Sequence, residues 1–199
     1  MILLGDDRAV ALMLDAGGTG TTGFVQAASI LVSLRAVIEH DPDRVDLESA
    51  FNSVNRSLAG RKSRQLVACS AVYVNVGARS LTYLNAGMPP PILLIAPGRT
   101  VPLDRSSLLL GVEREHIYEQ ATLELPDVFR LICYSDGLVE SVNLSGTPWG
   151  EQELQDIVSD RKCFATPSLI VEEAMKRLAE HLDRKPIDDD ATIQILSRG

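Results

Sequence analysis

Three places in this 199-residue chain set carboxylates at one end of an apolar run. Asp15 closes Arg8-Ala-Val-Ala-Leu-Met-Leu-Asp15 and is followed by Ala16-Gly17-Gly18-Thr19-Gly20. Asp136 ends a second run, within Tyr134-Ser135-Asp136-Gly137, and Asp188-Asp189-Asp190 directly precedes the last one, in Ala191-Thr192 and onward. Two like charges ~4 Å apart repel by about 4 kcal/mol at an effective dielectric near 20. Acids that converge must therefore take up protons or hold a cation. Hard oxygen ligands without His or Cys select Mg²⁺ or Mn²⁺ over Zn²⁺. The glycines after Asp15 let backbone carbonyls and water come close to an ion. A pair of such ions ~3.5–4 Å apart lowers the pKa of a bridging water and clamps a phosphoryl group for in-line attack. Any one of these acids alone reads as a turn or cap residue. All of them at strand ends favour the metal.

Other reactive side chains read as structural. His40, His116 and His181 are far apart, with no acids at ligand spacing. Ser135 precedes Asp136 but has no His or Lys partner in view to activate it. Glu140 reads as structural too, and Trp149 as an anchor for the helix after it. Pro89-Pro90-Pro91 lies between two strands and sets a connection. Residues 138–150 are a candidate flap. Cys69, Cys133 and Cys163 are scattered and odd in number, which excludes a disulfide framework and a Cys-x-x-Cys zinc site. Cys69 and Cys133 sit in apolar runs, where a thiol acts as a small hydrophobe. This usage fits a reduced, cytoplasmic protein.

The elements that must position these acids follow from periodicity. Residues 8–15 read as a buried strand delivering Asp15. From Thr22 the period turns helical, with Phe24, Ala27, Ala28, Leu31, Leu34 and Ile38 on one face. A second helix after Pro42 carries Leu47, Phe51, Val54 and Leu58, with Asp46 placed to cap it and Gly60 to stop it. Strands are expected over 66–76 and 81–84 around a Gly77–Ser80 turn, and over 92–96 and 101–103 around Pro97-Gly98. Two more, 116–125 and 128–134, are joined around Pro126. Both faces of 66–76 are apolar, so that strand should be covered on both sides. One late helix follows Trp149-Gly150, and another follows Thr166-Pro167 with Val171, Ala174, Met175, Leu178 and Leu182 as its stripe. A last strand covers 191–196. This order gives an α+β class: two packed, mainly antiparallel sheets flanked by helices, an αββα sandwich.

Composition supports one globular domain over 1–199, with 45% hydrophobic and 23% charged residues. Net charge is 19 − 27 = −8 and the pI is near 4.9, which argues against a nucleic-acid partner. No apolar run approaches the ~18 residues of a membrane span. The opening Met-Ile-Leu-Leu, followed at once by Asp6 and Asp7, does not read as a signal peptide.

An ordered set of segments carries a family resemblance. These are Asp15-x-x-Gly18-x-Gly20, Asn85-Ala86-Gly87-Met88-Pro89-Pro90-Pro91, Leu110-Gly111-Val112, Tyr134-Ser135-Asp136-Gly137-Leu138-Val139-Glu140 and Asp189-Asp190-Ala191-Thr192. The sequence resembles the bacterial sporulation-protein-E type of serine/threonine phosphatase (SpoIIE/RsbU-like), within the PPM (protein phosphatase 2C) superfamily, over nearly the whole chain. The resemblance implies that Asp15 bridges two Mn²⁺ or Mg²⁺ ions and that the Ala16 carbonyl binds one of them. It makes Asp136 and Asp189 ligands of the second ion, with Asp190 as the alternative ligand. It further implies attack by a metal-bridging hydroxide on phosphoserine or phosphothreonine, with no covalent enzyme intermediate. The implied substrate is a phosphoprotein, of the anti-anti-sigma type.

The family's Gly-Gly-Asp-x-x-Asp segment should stand just before Met1, and Gly5-Asp6-Asp7 falls instead where relatives turn between their first two strands. The chain is thus expected to lack an N-terminal edge strand and an acid that helps hold the first ion. Either it is truncated at that end or the domain is degenerate, a non-catalytic phosphatase-like binding module. Thr19 and Met88 stand where relatives commonly carry His. A rival reading comes from Leu14-Asp15-Ala16-Gly17-Gly18-Thr19, which resembles the phosphate loop of actin-like sugar kinases. That loop should lead into a hairpin strand, whereas a helical stripe begins here near Thr22.

Overall fold

The computed structural model describes residues 1–17, 21–41, 44–60, 66–187 and 189–199, without the side chains of 21–24 and 26. The expected roles of Gly18, Thr19, Gly20 and Asp188 lie outside the described residues. The chain divides into two compact units, Met1–Met88 with Arg105–Leu125, and Pro89–Asp104 with Pro126–Gly199.

The first unit holds a five-stranded antiparallel sheet. Its order is β1 (Ile2–Leu3), β2 (Arg8–Ala16), β3 (Val67–Asn75), β4 (Ser80–Ala86) and β7 (Ala121–Glu124). The helices α1 (Thr21–His40) and α2 (Leu47–Ala59) share an apolar cluster with it. The edge strand expected to be missing is represented by β1, which pairs Ile2 with Val10 and Leu3 with Ala9. Burial of Ile2 and Leu4 in the cluster holds it there, and Gly5, at φ +98°, makes the turn in the left-handed region that favours glycine.

On α2 the expected stripe is the observed one. Leu47, Phe51 and Leu58 are buried, each contributing about 1.5–3 kcal/mol relative to exposure. The Asp46 carboxylate caps the helix by accepting from the Ser49 amide at 2.9 Å. Gly60 ends it in a right-handed conformation, φ −81°. On α1 the buried stripe is Ile30, Leu34 and Ile38, while Leu31, expected inside, is exposed.

The second unit holds a four-stranded antiparallel sheet in the order β6 (Arg99–Pro102), β5 (Ile92–Ala96), β8 (Phe129–Tyr134) and β9 (Ile193–Arg198). Its helices are α3 (Asp136–Val139), α4 (Glu151–Ser159), α5 (Arg161–Ala165) and α6 (Ser168–Leu182). Leu154, Ile157 and Val158 of α4 and Ile170, Ala174 and Leu178 of α6 pack with Leu94 and Ile132 of the sheet. Trp149 is buried in this cluster, as expected of an anchor. Arg130 is buried as well, and its guanidinium donates to the carbonyls of Phe129, Phe164, Arg198 and Gly199.

The two sheets flanked by helices match the expected class. The two strands joined around Pro126 go to different sheets: β7 pairs with β4 in the first unit, and β8 lies between β5 and β9 in the second. The first of them is also short, starting at Ala121 and not at His116. Several backbone groups of residues 111–120 bond instead to polar side chains of α2. Asn55 accepts from the Gly111 amide and donates to the Glu113 carbonyl, both at 2.8 Å. Asn52 accepts from the Tyr118 amide at 3.0 Å, and Glu48 from the Gln120 amide at 3.0 Å. Among the described residues no helix is long and apolar enough to cross a membrane.

Candidate active site

Antiparallel pairing explains how the second unit gathers its acids. Tyr134, the last residue of β8, stands opposite Ile193, the first of β9. The chain leaving one strand therefore lies beside the chain entering the other. Continuing the register places Ser135 across from Thr192, whose carbonyl accepts from the Ser135 amide at 3.0 Å. One step further, Asp136 opens α3 as Asp189-Asp190 comes in. Asp136 is half-buried and its Oδ1 accepts from the Gly137 amide at 2.8 Å. Asp189 and Asp190 are exposed, and Asp189 Oδ1 accepts from the Asp190 amide at 2.8 Å.

Gly137 is a requirement of this packing. A Cβ there would lie 2.5 Å from the Asp190 carbonyl oxygen and 2.9 Å from its carbon, closer than real side chains come. Ser135 closes the other side: its hydroxyl donates to the Asp190 carbonyl and accepts from the Thr192 amide, both at 2.9 Å. Sequence reasoning weighed Ser135 only as a nucleophile and missed this role. It offers no side-chain cap to α3 either.

The first unit places Asp15 and Ala16 at the end of β2, in register with Ala68 and Val67. Asp15 is exposed. Gly17 is held by its amide to the Leu66 carbonyl at 3.2 Å, and Val67 exchanges two backbone bonds with Leu110, at 3.1 and 2.9 Å. The Asn85–Met88 segment is a turn closed by the buried Asn85 amide group, which donates to the Met88 carbonyl at 2.8 Å and accepts from its amide at 2.9 Å. Gly87 sits there at φ +85°, against Leu109. In Leu110-Gly111-Val112, Gly111 has φ +89° and its amide goes to Asn55. These two segments are architecture. Asn55, fully buried, was also missed, although its spacing of four from Phe51 already set it on the inner face.

Within each unit, and among the described residues, no three His, Cys, Asp or Glu side chains stand grouped as a metal cage. The donors on offer are all oxygens: Asp136, Asp189 and Asp190 in one unit, and Asp15 with the Ala16 carbonyl in the other. That donor chemistry, with the Asp190 backbone carbonyl packed against Gly137 next to Asp136, fits a hard divalent cation. Two of the three histidines are held by hydrogen bonds, His116 Nε2 meeting Ser107 Oγ at 2.6 Å and His181 Nε2 the Thr147 carbonyl at 2.9 Å. Burial pushes the Cys133 thiol up to about 12 and the Cys69 thiol higher still, so neither offers a thiolate.

The family model described as Stage II sporulation protein E (SpoIIE) matches residues 5–199. The chain belongs to the SpoIIE family. Its fold is that of PP2C phosphatase domains. The SiaA PP2C domain of Pseudomonas aeruginosa superposes with a TM-score of 0.78 at 17% identity, covering 96% of this chain and 80% of that one. The PP2C phosphatase domain of the cell-fate determinant SpoIIE from Bacillus subtilis, solved with a fragment of its regulatory domain, gives 0.79 at 20% identity. It covers all of this chain, which spans 56% of that structure. RsbX in complex with magnesium gives 0.66 at 18% identity, covering 96% and 82%. No curated protein matches the sequence. In this SpoIIE-family chain the next described element after β2 is α1, not the hairpin strand that a sugar-kinase loop would need.

Proposed function

We propose that this SpoIIE-family chain is a metal-dependent phosphoprotein phosphatase. It hydrolyses phosphoserine or phosphothreonine, its substrate is an anti-anti-sigma-type regulator, and it acts in the cytoplasm with Mn²⁺ or Mg²⁺. The observation that carries this reading is the β8–β9 junction, which sets Asp136 beside Asp189-Asp190 with only oxygen donors. The magnesium bound in the RsbX structure supports the choice of metal.

Asp136 and Asp189, with Asp190 as the alternative, would hold an ion in the second unit, and Asp15 and the Ala16 carbonyl are the oxygen donors that the first unit offers to one. When bound, such ions supply Lewis acidity, lowering the pKa of water and neutralising charge that builds on a phosphoryl group. The family resemblance implies direct attack by water, with no covalent nucleophile from the protein. The Ser135 hydroxyl is committed to Asp190 and Thr192, and the buried thiols stay protonated, which leaves neither as a covalent nucleophile. Ser135 and Gly137 fix the backbone at Asp190, and the Gly137 amide holds Asp136 Oδ1.

The test is phosphate release from an aryl phosphate and from a phosphorylated anti-anti-sigma protein, with Mn²⁺ and then with chelator. Turnover is expected only with metal, and Asp136→Asn or Asp189→Asn should abolish it in a folded protein. Full activity in either variant refutes the assigned roles. No turnover by the folded wild-type chain on either substrate overturns the enzyme reading in favour of a binding module.

A further inference from the structure

We propose that Ser135 is a positioning residue whose hydroxyl locks the Asp189-Asp190 segment against Asp136 and thereby sets the chain's affinity for a divalent cation. This rests on the metal-dependent reading above. The antiparallel ladder breaks just beyond β8. Ser135 and Thr192 face each other as a hydrogen-bonded antiparallel pair, and in such a pair the backbones exchange both bonds. Here only the Ser135 amide follows that rule, donating to the Thr192 carbonyl at 3.0 Å. The Thr192 amide bonds to the Ser135 hydroxyl at 2.9 Å. The side chain has taken a backbone position, and β8 is free to turn at once into α3.

The same hydroxyl has one proton to give, and gives it to the Asp190 carbonyl at 2.9 Å. That carbonyl is confined on its other side by Gly137, where a Cβ would stand 2.5 Å away. Gly137 is itself fixed, its amide donating to Asp136 Oδ1 at 2.8 Å and its carbonyl accepting from the buried Ser141 hydroxyl at 2.7 Å. One side chain, only 7% exposed, thus adds two bonds to the backbone bond between Ser135 and Thr192 in holding residues 190–192 beside Asp136. Alanine would remove the acceptor for the Thr192 amide and the donor for Asp190 together. Threonine keeps the hydroxyl, and the extended backbone of Ser135, φ −89° and ψ 159°, suits a β-branched residue.

The experiment uses the full chain and its Ser135→Ala, Ser135→Thr and Gly137→Ala variants. Mn²⁺ affinity is read by calorimetry or by the spin resonance of free Mn²⁺, and amide exchange at Thr192 is read without metal. Groups that orient metal ligands typically account for 10–100-fold in affinity, so Ser135→Ala should weaken Mn²⁺ binding by roughly that factor. It should also speed exchange at Thr192, while Ser135→Thr restores both. Gly137→Ala, which pushes the Asp190 carbonyl away, should weaken Mn²⁺ binding in the same direction and serves if Ser135→Ala does not fold. A merely structural serine would lower the melting temperature without changing the Mn²⁺ affinity of the folded protein. Wild-type affinity in folded Ser135→Ala, or in Gly137→Ala where that variant stands in, overturns the proposal. So does a Ser135→Thr variant that folds but rescues neither readout. If the wild-type chain binds no Mn²⁺, the metal reading falls, and with it the role in affinity; Thr192 exchange then decides separately whether the hydroxyl holds the segment.

Discussion

Replacing Asn55 should be among the most damaging single changes in the first unit, although the residue carries no chemistry. Its side chain is fully buried and makes two short bonds, accepting from the Gly111 amide and donating to the Glu113 carbonyl, each at 2.8 Å. Longer contacts to the Tyr118 hydroxyl and the Arg114 carbonyl, at 3.5 and 3.4 Å, add little. In Asn55→Ala the Gly111 amide is left buried without an acceptor, at a cost of about 1–3 kcal/mol. The Glu113 carbonyl lies nearer the surface and can recover some hydration, so its loss is about 0.5–1.5 kcal/mol. The sum is roughly 1.5–4.5 kcal/mol, which for a chain of this size lowers the melting temperature by roughly 3–18 °C. Asn55→Leu separates hydrogen bonding from volume, because leucine fills the space and leaves both groups unpaired. It should fall at least as far as alanine. Melting followed by circular dichroism, on both variants, is the assay. A fall below about 2 °C in either, or near-wild-type stability with leucine, refutes the reasoning. The site should feel the change too, because Leu110, next to Gly111, is bonded to Val67, and Val67 stands in register with Ala16.

Two further outcomes follow from single groups. Bonds from the Ser49 amide, and then from its hydroxyl, hold the Asp46 carboxyl below its ordinary value. A depressed folded pKa means that this cap stabilises α2 above the unfolded value of about 3.9 and loses that contribution as pH falls through the lower folded one. Asp46→Ala should therefore cost about 1 kcal/mol at neutral pH, with the gap to wild type narrowing in acid; a pH-independent gap in melting temperature would contradict it. Cys69, Cys133 and Cys163 are all buried, and burial raises each thiol. A thiol-specific reagent at pH 8 should label the native chain slowly and the denatured chain at all three cysteines, and fast native labelling would sink this.

Local pattern carried the elements and the acids. The run before Asp15, the stripe of α2 and the turn at Pro97-Gly98 are periodicity and turn chemistry, which neighbouring residues express together. Asp15, Asp136 and Asp189 were legible because each stands where an apolar run meets a glycine or an acid cluster, in an order that resembles one family. What local pattern could not carry is partnership across the chain. Asn55 reaches Gly111 across 56 residues and Ser135 reaches Asp190 across 55, and a single polar residue in an apolar context does not name its partner. Pro126 marked a connection, yet whether its two strands pair or part depends on which sheet offers each a hydrogen-bonding edge.

By itself, then, the sequence determined the strand and helix content, the oxygen-only character of the candidate ligands and the family to which they belong. Only the tertiary structure decided that Asp136 and Asp189-Asp190 meet at one junction, that Gly137 must lack a side chain there, and that a serine hydroxyl stands in for a backbone carbonyl. The physical reason is that periodicity records which face a residue turns inward. Hydrogen-bond geometry is settled only when two distant segments come to lie within ~3 Å of each other.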